Sequence, residues 1–239
     1  MLKAKNITKK FGEIVAVNDL SFEVKKGQIY GIAGPNGAGK STVFNLITGN
    51  YSYDGTIEFD GQPITGLAPH RIAKAGIART FQIPEIFPSL DVQTSIRVGS
   101  RFGARGGLDL GHADDIIEFV GLKEERFQNT GLLNLLGKKK LMIGAALATK
   151  PEILMLDEPM AGSNTHEIIK LMDLIQKINQ DLGVTIIIIE HFMKVLTELT
   201  EKLLIIDSGA KICCDEPEAV TSNARVIECY LGDSHAECK

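Results

Sequence analysis

Apolar residues follow two different spacings along this chain. Short runs of apolar and β-branched residues predict strands, whereas apolar residues three and four positions apart predict helices. The two patterns alternate over most of the sequence, which indicates an α/β fold with a mostly parallel sheet. Residues 184–189 are apolar on both faces, and residues 153–156 form an apolar run that leads into two acids. Such runs are typical of central parallel strands.

The first part of the chain has a different pattern. Residues 2–8, 14–17 and 20–24 have the spacing of short strands, with turn residues at 9–13. They predict an antiparallel β layer that precedes the α/β core. A buried strand at residues 29–33 then leads into a glycine-rich loop and a helix.

The middle of the chain, residues 91–148, predicts a helical insertion. Asp114 and Asp115 are typical of a helix N-terminus, where carboxylates interact favourably with the helix dipole. A glycine-rich stretch before them indicates a mobile loop. Its glycines are Gly103, Gly106, Gly107 and Gly111.

Strands and helices alternate again after the insertion. Asn164 can cap a helix that ends at Gly183, and residues 203–206 and 211–213 predict a hairpin. The whole chain, residues 1–239, is therefore expected to be one domain. Its α/β core with the β layer comprises residues 1–90 and 149–239, and its helical subdomain comprises residues 91–148.

Composition and charge narrow the class of protein. The 239 residues are 44% hydrophobic and 23% charged, which excludes a disordered or collagen-like chain. The net charge of -4 argues against a sequence-independent nucleic-acid binder. No apolar run approaches the about 20 residues of a membrane-spanning helix, and the N-terminus lacks the apolar core of a signal peptide. The cysteines lack metal-ligand spacing, so they indicate reduced thiols of a cytosolic protein; they are Cys213, Cys214, Cys229 and Cys238.

The glycine-rich loop has the spacing of a phosphate-binding loop. Its glycines let backbone N–H groups turn towards phosphate oxygens, Lys40 reaches the β and γ phosphates, and Ser41 offers a hydroxyl to Mg²⁺. The next helix directs its positive end at the anion. A chance match has a frequency of about 1% in a chain of this length. The loop consists of Gly34, Pro35, Asn36, Gly37, Ala38, Gly39, Lys40 and Ser41.

Asp157 and Glu158 directly follow the apolar run at residues 153–156. At the carboxyl end of such a strand, Asp157 can hold the water shell of Mg²⁺ and Glu158 can polarise an attacking water. A strand that ends in two acids is also common for purely structural reasons. The phosphate-loop pattern upstream favours the functional interpretation.

The sequence resembles the ATP-binding subunits of ABC transporters over essentially its whole length. Within them it is most similar to the larger ATPase of bacterial and archaeal branched-chain amino-acid importers. The matching stretches are GPNGAGKSTVFNLITG, GIARTFQIPEIFPSLDV, PEILMLDEPMAG, IIIIEH and EAVTSNARVIECYLGD. The resemblance implies a P-loop NTPase core and an ATPase that couples ATP hydrolysis to transport. ATP and Mg²⁺ are the cofactors it implies.

The resemblance also implies roles for single residues. Phe11 would stack on adenine and Val17 would pack against the sugar or the base edge, whereas the alternative for Phe11 is a core position in the β layer. Gln82 would contact Mg²⁺ and the attacking water, and His191 would contact the γ-phosphate, although such a His could equally cap a helix. Thr42 would complete the phosphate loop. The implied metal contacts are Ser41, Gln82 and Asp157.

One departure from the family concerns its signature, Leu-Ser-Gly-Gly-Gln. The family spacing places it on a stretch without the serine and without the two glycines. This degenerate signature consists of Leu133, Asn134, Leu135, Leu136 and Gly137. The segment between Gln82 and this point is also shorter than is usual in the subfamily. The chain's own nucleotide site is therefore expected to be complete, and its contribution to a neighbour's site is expected to be weak.

The partners implied by the resemblance are transmembrane permease subunits, a sister ATPase in a heterodimer or homodimer, and, indirectly, a substrate-binding protein. No nucleic acid is expected. The chain would then lie in the cytoplasm on the inner face of the cell membrane. Two alternatives remain open: an ATP-binding regulatory subunit with weak or no hydrolysis, and a soluble ABC protein unconnected to transport. The run of Lys138, Lys139 and Lys140 is typical of a solvated helix face, with acidic lipid or RNA as an open alternative.

Overall fold

A computed structural model describes residues 1–103 and 110–231. Within it the chain forms two compact units, one of Met1–Leu67 with Ile187–Lys239 and the other of Ala68–Ile186. Both predicted boundaries of the helical subdomain, at residues 91 and 148, fall inside the second unit. Most of the glycine-rich loop predicted before residue 110 lies outside the described residues, as does Cys238.

The helices and strands follow the predicted alternation. Up to residue 103 they are β1 (Leu2–Phe11), β2 (Ile14–Val24), β3 (Ile29–Ala33), α1 (Lys40–Ile47), β4 (Asp54–Phe59), β5 (Gln62–Pro63), α2 (Pro69–Ala75), β6 (Ile77–Arg79) and α3 (Val92–Phe102). From residue 110 they are α4 (Leu110–Phe119), a 3₁₀ turn (Thr130–Leu132), α5 (Leu135–Leu147), β7 (Ile153–Asp157), α6 (Thr165–Leu182), β8 (Thr185–Ile189), α7 (Met193–Leu199), β9 (Lys202–Asp207), β10 (Ala210–Asp215), α8 (Pro217–Thr221) and α9 (Ala224–Leu231).

The first unit contains the predicted antiparallel layer, with strand order β2-β1-β4-β5. Where two short strands were expected, β2 is one continuous strand. Asn6 and Asp19 have φ values of 50° and 47°, and the Asn6 side-chain amide donates a hydrogen bond to the Asp19 carboxylate at 2.7 Å. Asp19, which lies between the two predicted strands, is therefore part of a bulge, and the bulge bends the strand without ending it.

The first unit also contains a pair of buried parallel strands, β3 and β9. Strand β3 is buried along its whole length and runs parallel to β9, with Tyr30 opposite Lys202 and Ala33 opposite Ile205. Strand β10 pairs antiparallel with β9 across the turn at Ser208. The predicted hairpin is confirmed.

In the second unit, β6 and β7 are parallel neighbours, with Ile77 opposite Ile153. Helix α6 begins with a capping box in which Asn164 and Glu167 exchange hydrogen bonds with each other's backbone N–H groups, and it ends at Gly183 with φ 65°. Both ends of this helix confirm the sequence prediction.

Helices α3, α4 and α5 occupy the region predicted to be helical, but α4 begins earlier than expected. Its first residue is Leu110, so Asp114 and Asp115 lie within the helix and are not helix-start charges. Asp114 accepts a hydrogen bond from the Gln93 side chain at 2.8 Å and forms an ion pair with Arg126. The hydrogen bond from Gln93, followed by the effect of Arg126, holds the pKa of Asp114 below its usual value.

Within residues 1–103 and 110–231, none of the helices has the length and hydropathy that crossing a bilayer requires. An antiparallel N-terminal sheet, parallel strand pairs and helices together confirm the predicted α/β class.

Candidate functional site

The glycine-rich loop joins β3 to α1, as the phosphate-loop pattern requires. Gly34 has φ 152°, and a Cβ atom there would lie 2.0 Å from the Ile206 carbonyl oxygen. Gly39 has φ 100°, and its Cβ would lie 2.3 Å from the Ala16 carbonyl oxygen. Because no side chain fits at either position, glycine is required for the loop to follow this path.

Lys40 is the first residue of α1, and its side chain folds back over the loop. Its Nζ donates hydrogen bonds to the carbonyl oxygens of Gly34 at 2.7 Å and Pro35 at 2.9 Å. No side chain caps the N-terminus of α1. The Lys40 ammonium group and the positive end of α1 thus lie together at the loop. This arrangement is suited to binding phosphate.

The loop is supported from two sides within the first unit. The Gly209 N–H, in the turn between β9 and β10, donates to the Ala38 carbonyl oxygen at 3.0 Å. The Tyr230 hydroxyl interacts with the Gly34 backbone; burial raises the pKa of Tyr230 to about 12, and this backbone hydrogen bond opposes the shift. The sequence analysis missed both supports. Tyr230 lies within EAVTSNARVIECYLGD, one of the stretches that carry the family resemblance. This resemblance was the only sign in the sequence that Tyr230 could have a role at the site.

Phe11 lies at the end of β1 and is 42% exposed, so it is not a core residue of the β layer. The Tyr51 ring meets it edge-on, with 5.2 Å between the ring centroids, and the Lys9 ammonium lies 5.0 Å from its centroid. Val17 is fully buried. This structure therefore leaves Val17 no surface for a ligand, because its side chain belongs to the core.

Asp157 ends β7 and is nearly buried. Its carboxylate accepts a hydrogen bond from Arg79 Nη2 at 2.7 Å, and the Arg79 guanidinium also lies 5.1 Å from the centroid of the Phe81 ring. The sequence analysis did not identify Arg79, although it lies in the GIARTFQ stretch. A charged residue at a strand end gives no sign of which carboxylate it will meet.

Glu158 follows Asp157 in the left-handed region, with φ 47°, and is buried. A non-glycine residue with this backbone is strained, and such strain is often found at functional sites. The side-chain amide of Gln82 donates a hydrogen bond to the Glu158 carboxylate at 2.5 Å. The structure therefore brings together two residues that were selected separately from the sequence.

His191 is exposed and lies just after β8. Its backbone N–H donates to the Glu190 carboxylate at 3.2 Å. It does not cap α7, because that helix has Phe192 at its N-cap.

The degenerate signature lies at the start of α5. The Asn134 side chain accepts a hydrogen bond from the Gly137 N–H at 2.8 Å and so caps the helix. Leu133 and Leu136 are buried, and Leu135 is exposed. One of the first N–H groups of α5 is thus already bonded within the chain, and the exposed side chain of Leu135 beside it is apolar.

A groove of about 430 Å³ lies within the second unit. Arg79 forms part of its wall, together with apolar side chains, of which Phe81 and Phe87 are also exposed. Its main lining residues are Arg79, Phe81, Glu85, Ile86, Phe87 and Met142. Exposed aromatic side chains around a groove are typical of a protein-binding surface.

These features are shared by a known class of proteins. The model of the ABC transporter family matches residues 17–161, and the chain belongs to this family. It is 34% identical over 253 residues to the high-affinity branched-chain amino acid transport ATP-binding protein BraF of Pseudomonas aeruginosa. The match covers 98% of each chain.

Two solved structures are also similar. The ADP conformation of MJ1267, an ATP-binding cassette of an ABC transporter, has a TM-score of 0.89 at 30% identity, with 97% of this chain and 98% of that chain covered. A dimeric, post-hydrolysis structure of the cassette MJ0796 bound to ADP and Pi has a TM-score of 0.80 at 25% identity, with 91% and 99% covered. The predicted family and fold are therefore confirmed.

Proposed function

We propose that the chain binds ATP with Mg²⁺ and hydrolyses it as the ATPase of a branched-chain amino-acid importer. The observation that carries this proposal is the phosphate loop. Gly34 and Gly39 stand where no Cβ atom fits, and Lys40 places its ammonium group inside the loop. Similarity to BraF over nearly the full length of both chains supports the choice of transported substrate.

The chain's own residues have separate tasks in this reaction. Lys40 and the N–H groups at the start of α1 hold the triphosphate, together with the rest of the loop from Gly34 to Thr42. Glu158 accepts the proton of the attacking water, and Gln82 orients the Glu158 carboxylate through their 2.5 Å hydrogen bond. Ser41, Asp157 and Gln82 each carry an oxygen atom of the kind that Mg²⁺ prefers, and they are the residues that would hold it. When bound, Mg²⁺ neutralises charge on the phosphates.

Two further contacts complete the proposed nucleotide site. Phe11 stacks on adenine, since its ring is exposed and Tyr51 and Lys9 hold it in place. His191 contacts the γ-phosphate, as the resemblance implies. Val17 is not part of the proposed site because it has no exposed surface.

The proposed partners are transmembrane permease subunits and a second ATPase. A permease segment fits the groove beside Phe81 and Phe87, whose exposed rings would lose contact with water on binding. With these partners the chain lies on the cytoplasmic face of the membrane, and the permease provides the indirect connection to a substrate-binding protein.

The second ATPase is proposed to be a sister chain with an intact signature. MJ0796 is seen as a dimer, which supports pairing of cassettes. In the present chain the start of α5 is capped by Asn134 and carries the exposed apolar side chain of Leu135, so it is poorly suited to a partner's phosphate. The same observation favours a second candidate, a subunit that binds ATP but hydrolyses it weakly. The buried Glu158 with its Gln82 partner argues for hydrolysis.

Co-purification from native membranes tests this proposal. The tagged chain is expected to isolate permease subunits and a sister ATPase, and the complex should hydrolyse ATP faster when a branched-chain amino acid and its binding protein are added. A complex with other membrane subunits and no response to these amino acids would refute the transport assignment. Failure of the isolated chain to bind ATP would refute the nucleotide site itself.

A further inference from the structure

The run of three lysines at residues 138–140 is not a uniformly solvated face. Lys139 is 2% exposed, whereas Lys138 and Lys140 are half-buried. The Lys139 ammonium group donates hydrogen bonds to the Ala161 carbonyl oxygen at 2.5 Å and to the Ser163 hydroxyl at 2.7 Å. The expectation of a solvated face is therefore wrong for Lys139, because tertiary packing turns this position inwards.

Both acceptors belong to the turn that follows Glu158. The Ala161 N–H donates to the Glu158 carbonyl oxygen at 3.1 Å, and the Ser163 N–H donates to the Met160 carbonyl oxygen at 3.0 Å. The next residue, Asn164, caps α6. The turn is thus fixed at one end by β7 and at the other by α6, and Lys139 fixes its middle.

The backbone of Glu158 makes this support important. At φ 47° the residue occupies a strained conformation, which persists when the surrounding contacts enforce it. A hydrogen-bonded turn that begins at the Glu158 carbonyl oxygen is such a contact. If the middle of the turn shifts, the Glu158 carboxylate moves relative to the water it must deprotonate.

We infer that Lys139 is a positioning residue for Glu158, acting through its hydrogen bonds to Ala161 and Ser163. The inference rests on the proposed hydrolytic function and deepens it. A misplacement of about 1 Å at a reacting group can lower a rate by about 100-fold. Loss of Lys139 should therefore reduce kcat about 10- to 100-fold. The affinity for ATP should stay within a factor of about two, because the phosphate loop is built from other elements.

The test compares Lys139→Met, which keeps most of the unbranched side chain but removes its donors, with Lys138→Met as the matched control. Lys139→Arg should recover part of kcat, because it restores a charged donor. Ser163→Ala should lower kcat less than Lys139→Met, because it removes one of the two acceptors. Single-turnover hydrolysis by the complex with the sister ATPase gives the rate, and titration with a fluorescent ATP analogue gives the affinity.

Hydrogen–deuterium exchange provides a readout that is independent of activity. The Ala161 and Ser163 amides should exchange faster in Lys139→Met than in the parent, with no change in Lys138→Met. Unchanged exchange in this turn, or a kcat equal to the parent in both Lys139→Met and Ser163→Ala, would overturn the inference. A parent chain that binds ATP but does not hydrolyse it even in complex with the sister ATPase would instead refute the proposed hydrolytic function, and the exchange experiment would still decide the structural role of Lys139.

Discussion

The side-chain amide of Gln82 donates a hydrogen bond of 2.5 Å to the carboxylate of Glu158. Gln82 lies in the exposed segment after β6, and Glu158 is buried after β7. Since β6 and β7 are parallel neighbours, their carboxyl ends meet at one edge of the sheet and the two side chains come within reach. An exposed residue beside the groove thus contacts the proposed catalytic base directly.

Glu158→Gln should separate ATP binding from hydrolysis. The amide keeps the shape of the side chain but cannot accept the proton, so turnover should fall by about 10²–10⁴ while binding persists. Steady-state ATPase assays of the complex with the sister ATPase and titration with a fluorescent ATP analogue measure the two effects. Glu13→Gln, an exposed substitution in the turn before β2, serves as the control. Equal turnover in Glu158→Gln and the parent would assign the base to another residue.

Lys40→Ala should weaken ATP binding. The lost charge-assisted contact with phosphate is worth roughly 1.5–3 kcal/mol, or about 10- to 100-fold in affinity. Isothermal titration calorimetry with ATP and saturating Mg²⁺ measures the change, and circular dichroism checks that the variant still folds. Lys10→Ala, on the exposed side of β1, should bind as the parent does. An unchanged affinity in Lys40→Ala would contradict the phosphate site.

Restoring the signature should increase hydrolysis by the chain alone. Asn134→Ser with Leu135→Gly and Leu136→Gly recreates the small residues of the family, and the new serine can still cap α5. Because Leu136 is buried, its loss is expected to cost about 2–5 kcal/mol of stability. The double variant Asn134→Ser, Leu135→Gly keeps that side chain and should also gain activity.

In a heterodimer with a sister ATPase, the site built on this chain's phosphate loop should be active, and the site that uses this chain's signature should be weak. Steady-state ATPase assays of the parent and both variants, alone and with the sister subunit, test this difference between the two sites. Thermal unfolding of the same samples separates a loss of folded protein from a loss of activity. Fast hydrolysis by the parent alone, in the range of roughly 1–10³ per second that is typical of enzymes, would refute a heterodimer with one dominant site.

Asp114 should stabilise the fold in a pH-dependent manner. The hydrogen bond from Gln93, with help from Arg126, lowers the pKa of Asp114 in the folded state, so the folded chain binds its proton less readily than the unfolded chain. This contribution is fully present above the unfolded pKa of about 3.9 and is lost as the pH falls through the folded value. Asp114→Asn should therefore be less stable than the parent at pH 7, and the difference should shrink as the pH falls below the unfolded pKa of about 3.9. Urea unfolding across this range measures the effect. A constant difference at all pH values would contradict the ionic role.

Features that depend on neighbouring positions in the sequence could be predicted well. The strands β3, β7 and β8 are buried along their whole length and are mostly apolar, because central parallel strands are covered on both faces. The phosphate loop is fixed by glycine spacing, since the required backbone angles and the close approach of Ile206 and Ala16 exclude side chains. Asn164 and Gly183 mark the ends of α6 by local capping chemistry.

Features that depend on residues far apart in sequence were decided by the tertiary structure. Three consecutive lysines look alike in the sequence, yet Lys139 is buried against Ala161 because the contact depends on how α5 packs on the turn after β7. Asp157 meets Arg79 because strand order places β6 beside β7. Asp114 lies within α4, where its partners are Gln93 and Arg126. The sequence alone determined which charged side chains the chain has and which local backbone conformations it adopts. Long-range packing decided which of these charged side chains pair. The reason is that a charged side chain bonds to whichever partner the fold brings within about 3 Å.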